Sequence, residues 1–207
     1  MEYLTLAARA ADEFTEKRSR FIGSACPVST EAEALAFIAG IKAAHPQARH
    51  HVYAYILRAG HQMRYSDAGE PSGTGGQPVL GVLQKEKLED VCLVVTRYFG
   101  GILLGAGGLT RAYARAAKCG VDQAGICRMV LCESRKVRCS YPVYEKLSKA
   151  LNARGVRVGE AQFSDFVEFL ITAPAELLPM AAELCRELSA GGAVLTPAGE
   201  NFLPFEK

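Results

Sequence analysis

The fold prediction starts from the stretch VCLVVTRYFGGILLGAGGLTRAYARAAK, residues 91–118. Residues 91–99 begin as a continuous apolar run, which is typical of a strand buried on both faces. A glycine-rich turn follows, and the spacing then predicts a long helix from about Leu104 to Gln123. Free amides at the start of a helix bind anions, and glycines allow a phosphate to approach. No Gly-Lys-Ser/Thr follows, which excludes a Walker A loop.

The residues before this stretch predict strands that alternate with helices. Ser29 or Thr30 is placed to cap a helix over about Glu31–Ala44, and the acids in its first turn suit the helix dipole. The aromatic and β-branched run HVYAYIL (51–57) predicts a strand. We further expect strands near Phe14, over Phe21–Cys26 and over Met63–Tyr65, and a short helix over Val79–Leu83.

The residues after Gly125–Met129 follow a different pattern. The predicted elements are a strand over Val130–Ser140, a helix from Pro142 to about Ala153, strands over Val156–Phe163 and Phe166–Thr172, a helix from Pro174 to about Ser189 and a strand over Ala193–Pro197. The order βαββαβ is typical of a ferredoxin-like unit. We therefore predict an α+β protein with two domains, residues 1–127 and 128–207.

Composition restricts the classes of function. The 207 residues include 24 Lys and Arg and 22 Asp and Glu, a net charge of +2, so a nucleic-acid role requires a local basic patch. The start MEYLTLAARAADEF lacks the pattern of a signal peptide, and no apolar stretch reaches the ~18 residues of a membrane span. Seven cysteines without a CxxC pair predict free thiols in a reducing cytoplasm, with no membrane association, disulfide or structural metal.

The loop SDAGEPSGTGGQP (66–78) is the first candidate site. Asp67 and Glu70 flank Gly69, and Thr74 with the amides after it could hold an anion. Such a loop positions acids for a base, a metal or a hydroxyl group. In the alternative interpretation, which composition favours, it is a tight surface loop whose acids accept hydrogen bonds from its own amides.

Basic residues give a second candidate. Arg111, Arg115 and Lys118 fall on one stripe of the long helix, which predicts either a solvated face or a surface for RNA or the ribosome. His50 and His51 would point to opposite faces of a strand, which disfavours a shared metal site. No serine or cysteine lies in a nucleophile motif, so we assign no catalytic residue.

Four motifs together resemble the IMPACT/YigZ family. These are KRSRF, HPQARHHVYAY, SDAGEPSGTGGQP and RYFGGILLGAGGL, in that order over about residues 10–125. The resemblance implies a first domain of the ribosomal protein S5 domain 2-like fold, an α/β sandwich. It implies a second, ferredoxin-like domain similar to the last domain of elongation factor G. Eukaryotic relatives act in translational control, and for bacterial members the resemblance implies a contact with nucleic acid or the ribosome.

The resemblance also implies where a ligand binds. The motif residues carried over to this sequence, with Thr74 added from the loop, are Arg49, His50, Asp67, Gly69, Glu70, Gly73, Thr74, Arg97, Tyr98, Gly100, Gly101 and Gly105. Arg97, Tyr98, Arg111, Arg115 and Lys118 form the predicted nucleic-acid set. Arg97 ends a buried strand and requires an acid or an anion. We therefore predict that the 67–70 loop and the 97–105 turn adjoin.

Three functions follow from these patterns. The first is a non-enzymatic, translation-linked regulator that binds RNA, the ribosome or a translation factor. The second is a phosphate-ligand-binding protein or enzyme that uses the Asp67/Glu70 loop and the glycine-rich helix start. The third is a protein-interaction adaptor. No cofactor is implied.

Overall fold

The computed structural model describes residues 1–205, which form two compact units of an α+β protein. The first unit is Tyr3–Arg128, and the second is Met129–Phe205 together with Met1–Glu2. No helix in the described chain is long and apolar enough to cross a bilayer. None of the seven cysteines, all of which lie within residues 1–205, forms a disulfide.

The first unit is built on a five-stranded antiparallel sheet in the order β2-β3-β6-β4-β5. Its elements are β1 (Glu2–Leu6), β2 (Ala10–Glu16), β3 (Ser19–Pro27), α1 (Glu31–Ala44), β4 (His50–Leu57), β5 (Gln62–Ser66), α2 (Gly76–Lys85), β6 (Val91–Tyr98) and α3 (Ala106–Ala124). The helix over 31–44 has the predicted bounds, and Thr30 Oγ1 accepts a hydrogen bond from Glu33 N.

The alternation of β6 determines which side chains reach the candidate site. Leu93 and Val95 enter the core formed with α2 and α3, whereas Cys92 and Val94 pack on the side of α1. Because successive side chains of a strand point to opposite faces, Arg97 emerges on the side of α2 and α3.

Two glycines bring α3 into direct backbone contact with the sheet. A Cβ atom on Gly23 in β3 would lie 1.9 Å from the carbonyl oxygen of Ala116 in α3. A Cβ atom on Gly120 would lie 2.8 Å from the carbonyl oxygen of Gly23. No side chain fits at either contact, and this close approach fixes α3 against the sheet.

The second unit has the βαββαβ order that the sequence predicts. It consists of β7 (Ile126–Cys139), α4 (Tyr141–Asn152), β8 (Arg157–Phe163), β9 (Val167–Pro174), α5 (Leu178–Leu188) and β10 (Val194–Phe205). These four strands lie in the order β10-β7-β9-β8. Leu147, Leu151 and Ile171 are among the fully buried side chains of its core.

Two predictions about the second unit are wrong. Pro174 does not start a helix: it has extended backbone angles, φ −52° and ψ 145°, and ends β9. A short 3₁₀ turn follows, and Pro179 is the proline in the first turn of α5. The last strand covers twelve residues, Val194–Phe205, whereas the sequence predicted Ala193–Pro197.

Two elements of the first unit also differ from expectation. The sequence predicted no strand at Glu2–Leu6, where Leu4 O accepts a hydrogen bond from Glu89 N, a partner far along the chain. Helix α2 begins at Gly76, three residues earlier than predicted. Glycine disfavours helix by itself, but the Asp67 carboxylate accepts a hydrogen bond from Gly76 N.

Candidate functional site

A cavity of about 390 Å³ lies in the first unit at the start of α3, and we call it the α3 cavity. Its polar side is formed by Arg49 just before β4, His50 at the start of β4, Glu70 of the 66–78 loop and Arg97 near the end of β6. Its other side is formed by residues of the 99–109 segment, namely Phe99, Leu103, Leu104, Gly105, Ala106 and Leu109. The cavity thus lies where three predicted motifs meet.

Arg97 and Glu70 form a buried ion pair on the cavity floor. Arg97 Nη1 donates to Glu70 Oε1 at 2.6 Å, and the two side chains are only 6% and 4% exposed. The Tyr113 hydroxyl of α3 donates to the same oxygen at 2.7 Å. Burial and this hydrogen bond raise the pKa of Tyr113, so the hydroxyl stays protonated and remains a donor. The loop and the turn are therefore joined through one carboxylate oxygen.

The rest of the Arg97 guanidinium is enclosed by the KRSRF motif and Phe99. Arg97 Nη2 lies 3.5 Å from Ser19 Oγ, which also accepts a hydrogen bond from Gly100 N at 3.1 Å. The rings of Phe21 and Phe99 have centroids 5.4 and 5.5 Å from Arg97 Cζ. Arg97 Nε is buried and has no hydrogen-bond partner in residues 1–205.

His50 and Arg49 complete the polar side. His50 pairs with Arg97 in the β4–β6 register, and its Nδ1 lies 2.9 Å from the carbonyl oxygen of Ala68. Because a carbonyl oxygen only accepts, Nδ1 carries the hydrogen, and Nε2 lies 3.8 Å from Glu70 Oε1. Arg49 is exposed and has no ion-pair partner in the part of the chain that the structure describes.

His51 lies on the other side of the sheet from His50, as adjacent strand residues must. Its Nδ1 lies 3.2 Å from Thr96 Oγ1, and burial lowers the pKa of the His51 imidazole. No group of three or more His, Cys, Asp or Glu side chains within residues 1–205 is placed to hold a metal ion.

The two acids of the 66–78 loop have different roles. The Asp67 carboxylate accepts hydrogen bonds from Gly73 N, Gly75 N and Gly76 N at 2.8–3.0 Å. Burial alone would raise the pKa of Asp67, but these three bonds lower it below its ordinary value. Asp67 therefore organises the loop, whereas Glu70 reaches Arg97. The Thr74 hydroxyl donates to Pro71 O at 2.7 Å and does not line the cavity.

The start of α3 supplies backbone donors. Gly105 caps the helix with φ +73°, a conformation that favours glycine, and no side chain caps it. The first intrahelical bond runs from Leu109 N to Gly105 O, so the amides of Ala106, Gly107 and Gly108 have no partner within the helix. Gly105 and Ala106 line the cavity.

The predicted site residues therefore fall into two groups. The structure brings Arg49, His50, Glu70, Arg97 and Gly105 together around the cavity. The other members do not line it; they are Asp67, Gly69, Gly73, Thr74, Tyr98, Gly100 and Gly101. Of these, Gly100 fits closely under the KRSRF motif, where a Cβ atom would lie 2.0 Å from the Arg18 carbonyl carbon.

The predicted nucleic-acid set does not form one surface. Arg97 is buried, and Tyr98 points to the opposite face of the sheet, where its hydroxyl lies 3.0 Å from His45 Nδ1. Arg115 lies over the Phe14 ring, 4.2 Å from its centroid. Lys118 forms ion pairs with Asp122 and with Glu86, the latter at 3.4 Å.

Sequence reasoning missed two residues that contact the Arg97–Glu70 pair, Tyr113 and Ser19. Tyr113 falls at helical spacing from Leu109 on the buried face of α3. A buried tyrosine hydroxyl requires a partner, and that requirement is the signal that could have linked α3 to an acid. Ser19 gave no such signal, because its role depends on the distant Gly100.

Comparison with known proteins places these motifs in a family. Residues 17–121 match the family model for the Impact N-terminal domain. The chain is 40% identical over 168 residues to IMPACT family member YvyE of Bacillus subtilis, covering 81% of this chain and 77% of that protein. It is 33% identical over 162 residues to IMPACT family member YigZ of Escherichia coli, covering 77% and 79%.

A solved structure described as that of a hypothetical protein aligns over 96% of this chain and 98% of its own, with a TM-score of 0.62 at 29% identity. The motif resemblance is confirmed by the domain match and by both relatives. This chain belongs to the IMPACT family.

Proposed function

We propose that this chain is a cytoplasmic, non-enzymatic regulator linked to translation, and that it binds RNA through phosphate groups held in the α3 cavity. Membership of the IMPACT family supports the general connection with translational regulation. The proposal includes an S5 domain 2-like first unit and a ferredoxin-like second unit. The strand order β10-β7-β9-β8 supports the second assignment.

The observation that carries the proposal is the charge balance of the α3 cavity. Glu70 neutralises Arg97, but Arg49 has no acidic partner within residues 1–205. The start of α3 adds roughly half a positive charge and three amide donors. The cavity therefore favours an anion, and a phosphate oxygen suits both amides and guanidinium groups.

The test measures binding of a single-stranded RNA of about 12 nucleotides, within the range of about 4–16 nucleotides that an OB fold covers on single strands. The RNA carries a 5′-phosphate and a 3′-fluorophore, and binding is followed by fluorescence anisotropy over a salt series. We expect Arg49→Ala to weaken binding about tenfold, and the slope of log K against log salt to fall by about 0.7 because one phosphate contact is lost.

Arg186→Ala is the matched control. Arg186 is an exposed arginine of α5 that pairs with Glu183, and its removal changes the net charge by the same amount. We expect the control to bind RNA as wild type does. Equal loss in both variants would show that net charge, not the cavity, determines binding. Absence of RNA binding at about 50 mM salt would overturn the proposal and favour the adaptor function.

A further inference from the structure

Resting on the proposed function, we propose that the α3 cavity takes a nucleotide that ends in a phosphate monoester. The ligand is either a free nucleoside monophosphate or the phosphorylated end of an RNA strand. Both sources present the same chemistry, namely a terminal phosphate followed by a ribose and a base. Internal phosphodiesters of a continuous strand are not what the cavity selects.

The first argument concerns depth. Arg97 and Glu70 on the floor are at least nine-tenths buried, whereas Arg49 and Leu103 at the rim are exposed, Leu103 by 82%. A terminal phosphate can enter such a cavity alone. An internal phosphodiester would have to bring the nucleotides on both of its sides toward the floor. The cavity volume of about 390 Å³ is at the lower end for small-ligand sites, so it suits one nucleotide better than two.

The second argument concerns the unused donors. Arg97 Nε is a buried donor without a partner, a state that costs free energy until an acceptor arrives. Arg49 at the rim and the amides at the start of α3 supply donors from two further segments of the lining. A monoester has three terminal oxygens and a charge near −2, so it satisfies such a set better than a diester with two free oxygens and one charge. The Phe99 ring lies over this guanidinium and is 42% exposed.

The third argument concerns the apolar side. Phe99, Leu103 and Leu104 line the cavity, and inorganic phosphate alone would leave them in water. A nucleobase would cover them, and base stacking on an aromatic ring tolerates any base.

The experiment is isothermal titration calorimetry of the full chain with AMP, adenosine and inorganic phosphate. It also uses one RNA sequence of about 12 nucleotides with a 5′-phosphate, with a 3′-phosphate, or with hydroxyls at both ends. We expect AMP to bind at least tenfold more tightly than adenosine. We expect at least one phosphorylated RNA to bind at least tenfold more tightly than the hydroxyl-ended RNA.

Two exposed residues provide variants that leave the buried ion pair in place. Phe99→Leu removes the ring but keeps apolar bulk, and we expect it to weaken AMP binding at least fivefold with phosphate binding within twofold of wild type. Arg49→Ala should weaken both ligands. Phe163→Leu, on an exposed phenylalanine of the second unit, is the control and should change neither.

The outcomes separate this inference from the proposed function. If hydroxyl-ended RNA binds as tightly as phosphorylated RNA, the terminal-phosphate inference is wrong, but the proposed RNA binding is supported. AMP that binds while every RNA fails would support the inference with a free nucleotide as the source, and would overturn RNA binding. If neither AMP nor a phosphorylated RNA binds, the inference is wrong.

Discussion

The first unit carries two basic regions, the α3 cavity and the stripe of Arg111, Arg115 and Lys118 along α3. The two regions differ in how many of their positive charges are available to bind an anion. On the stripe, Arg115 stacks on Phe14 of β2 and Lys118 pairs with Glu86 and Asp122, which leaves Arg111 as its one member without an ion-pair partner in residues 1–205. In the cavity, Arg49 has no acidic partner among the described residues, and Arg97 retains a free donor. Partners from other elements, rather than spacing along a helix, therefore determine where an anion can bind.

The largest expected effect comes from disrupting the backbone contact between β3 and α3, which positions both basic regions. In Gly23→Ala, the new Cβ atom would lie 1.9 Å from a backbone oxygen of α3, so the helix must move from the sheet. We expect the first unit to lose roughly 4 kcal/mol or more, at the severe end for a single substitution. Native-state hydrogen exchange of the β6 amides reports this loss.

Gly40→Ala is the matched control for Gly23→Ala. Gly40 lies in α1, and a Cβ atom there meets no atom within 4 Å. Alanine favours helix over glycine by about 1 kcal/mol, so the control should be slightly stabilised. Equal stability of the two variants would show that α3 does not depend on the close approach to β3.

The next effect concerns the buried pair in the cavity. We expect Arg97→Ala to destabilise the first unit by about 3–5 kcal/mol, because Glu70 is left buried and unpaired. The double variant Arg97→Met with Glu70→Leu should recover part of this stability, since it removes both charges but leaves the buried Tyr113 hydroxyl without its acceptor. Both are measured by exchange of the β6 amides. If Arg97→Ala instead keeps wild-type stability and loses only RNA binding, the pair is not structural and Arg97 acts on the ligand alone.

Asp67, the acid beside the cavity, should have a smaller effect that depends on pH. Asp67→Ala removes three hydrogen bonds to a charged acceptor, and we expect a loss of roughly 2–3 kcal/mol at neutral pH. The pKa of Asp67 is lower in the folded state than its ordinary value of about 4. Its contribution is therefore complete above about pH 4 and is lost as the pH falls through the folded pKa.

The measurement for Asp67 is the stability of wild type and variant from neutral pH down into the acid range below about pH 4. The difference in free energy of unfolding between wild type and Asp67→Ala should become smaller as the pH falls below about 4. Asp165→Ala, on an exposed loop of the second unit, serves as the control. A constant difference across the series would show that the Asp67 charge does not hold the loop.

Sequence reasoning predicted the elements that carry local signals. The apolar run of β6, the cap of α1 and the βαββαβ order were visible because they depend on neighbours in the chain. Glu2–Leu6 and the extended β10 were missed or shortened, because their pairing depends on distant residues. The length of α2 was underestimated because Asp67, nine residues before Gly76, holds its first turn.

The candidate site was only partly visible for the same reason. The need of Arg97 for an acid follows from burial of a charge, and it led to Glu70 as one of two choices. Spacing alone could not distinguish Asp67 from Glu70, because the difference lies in three amides that turn toward Asp67. Nor could it show that Tyr98 points away from Arg97 until the faces of β6 were assigned.

The smallest expected effects are on the stripe. Arg115→Ala and Lys118→Ala each remove an exposed side chain that already has a partner, so each should cost less than about 1 kcal/mol. Each should change RNA affinity less than about twofold, against about tenfold for Arg49→Ala. Arg111, exposed and without an ion-pair partner in residues 1–205, is the most sensitive control on this face. A tenfold loss in Arg111→Ala or Arg115→Ala, measured by the same anisotropy titration, would place the RNA along α3 and reverse the ranking of the two basic regions.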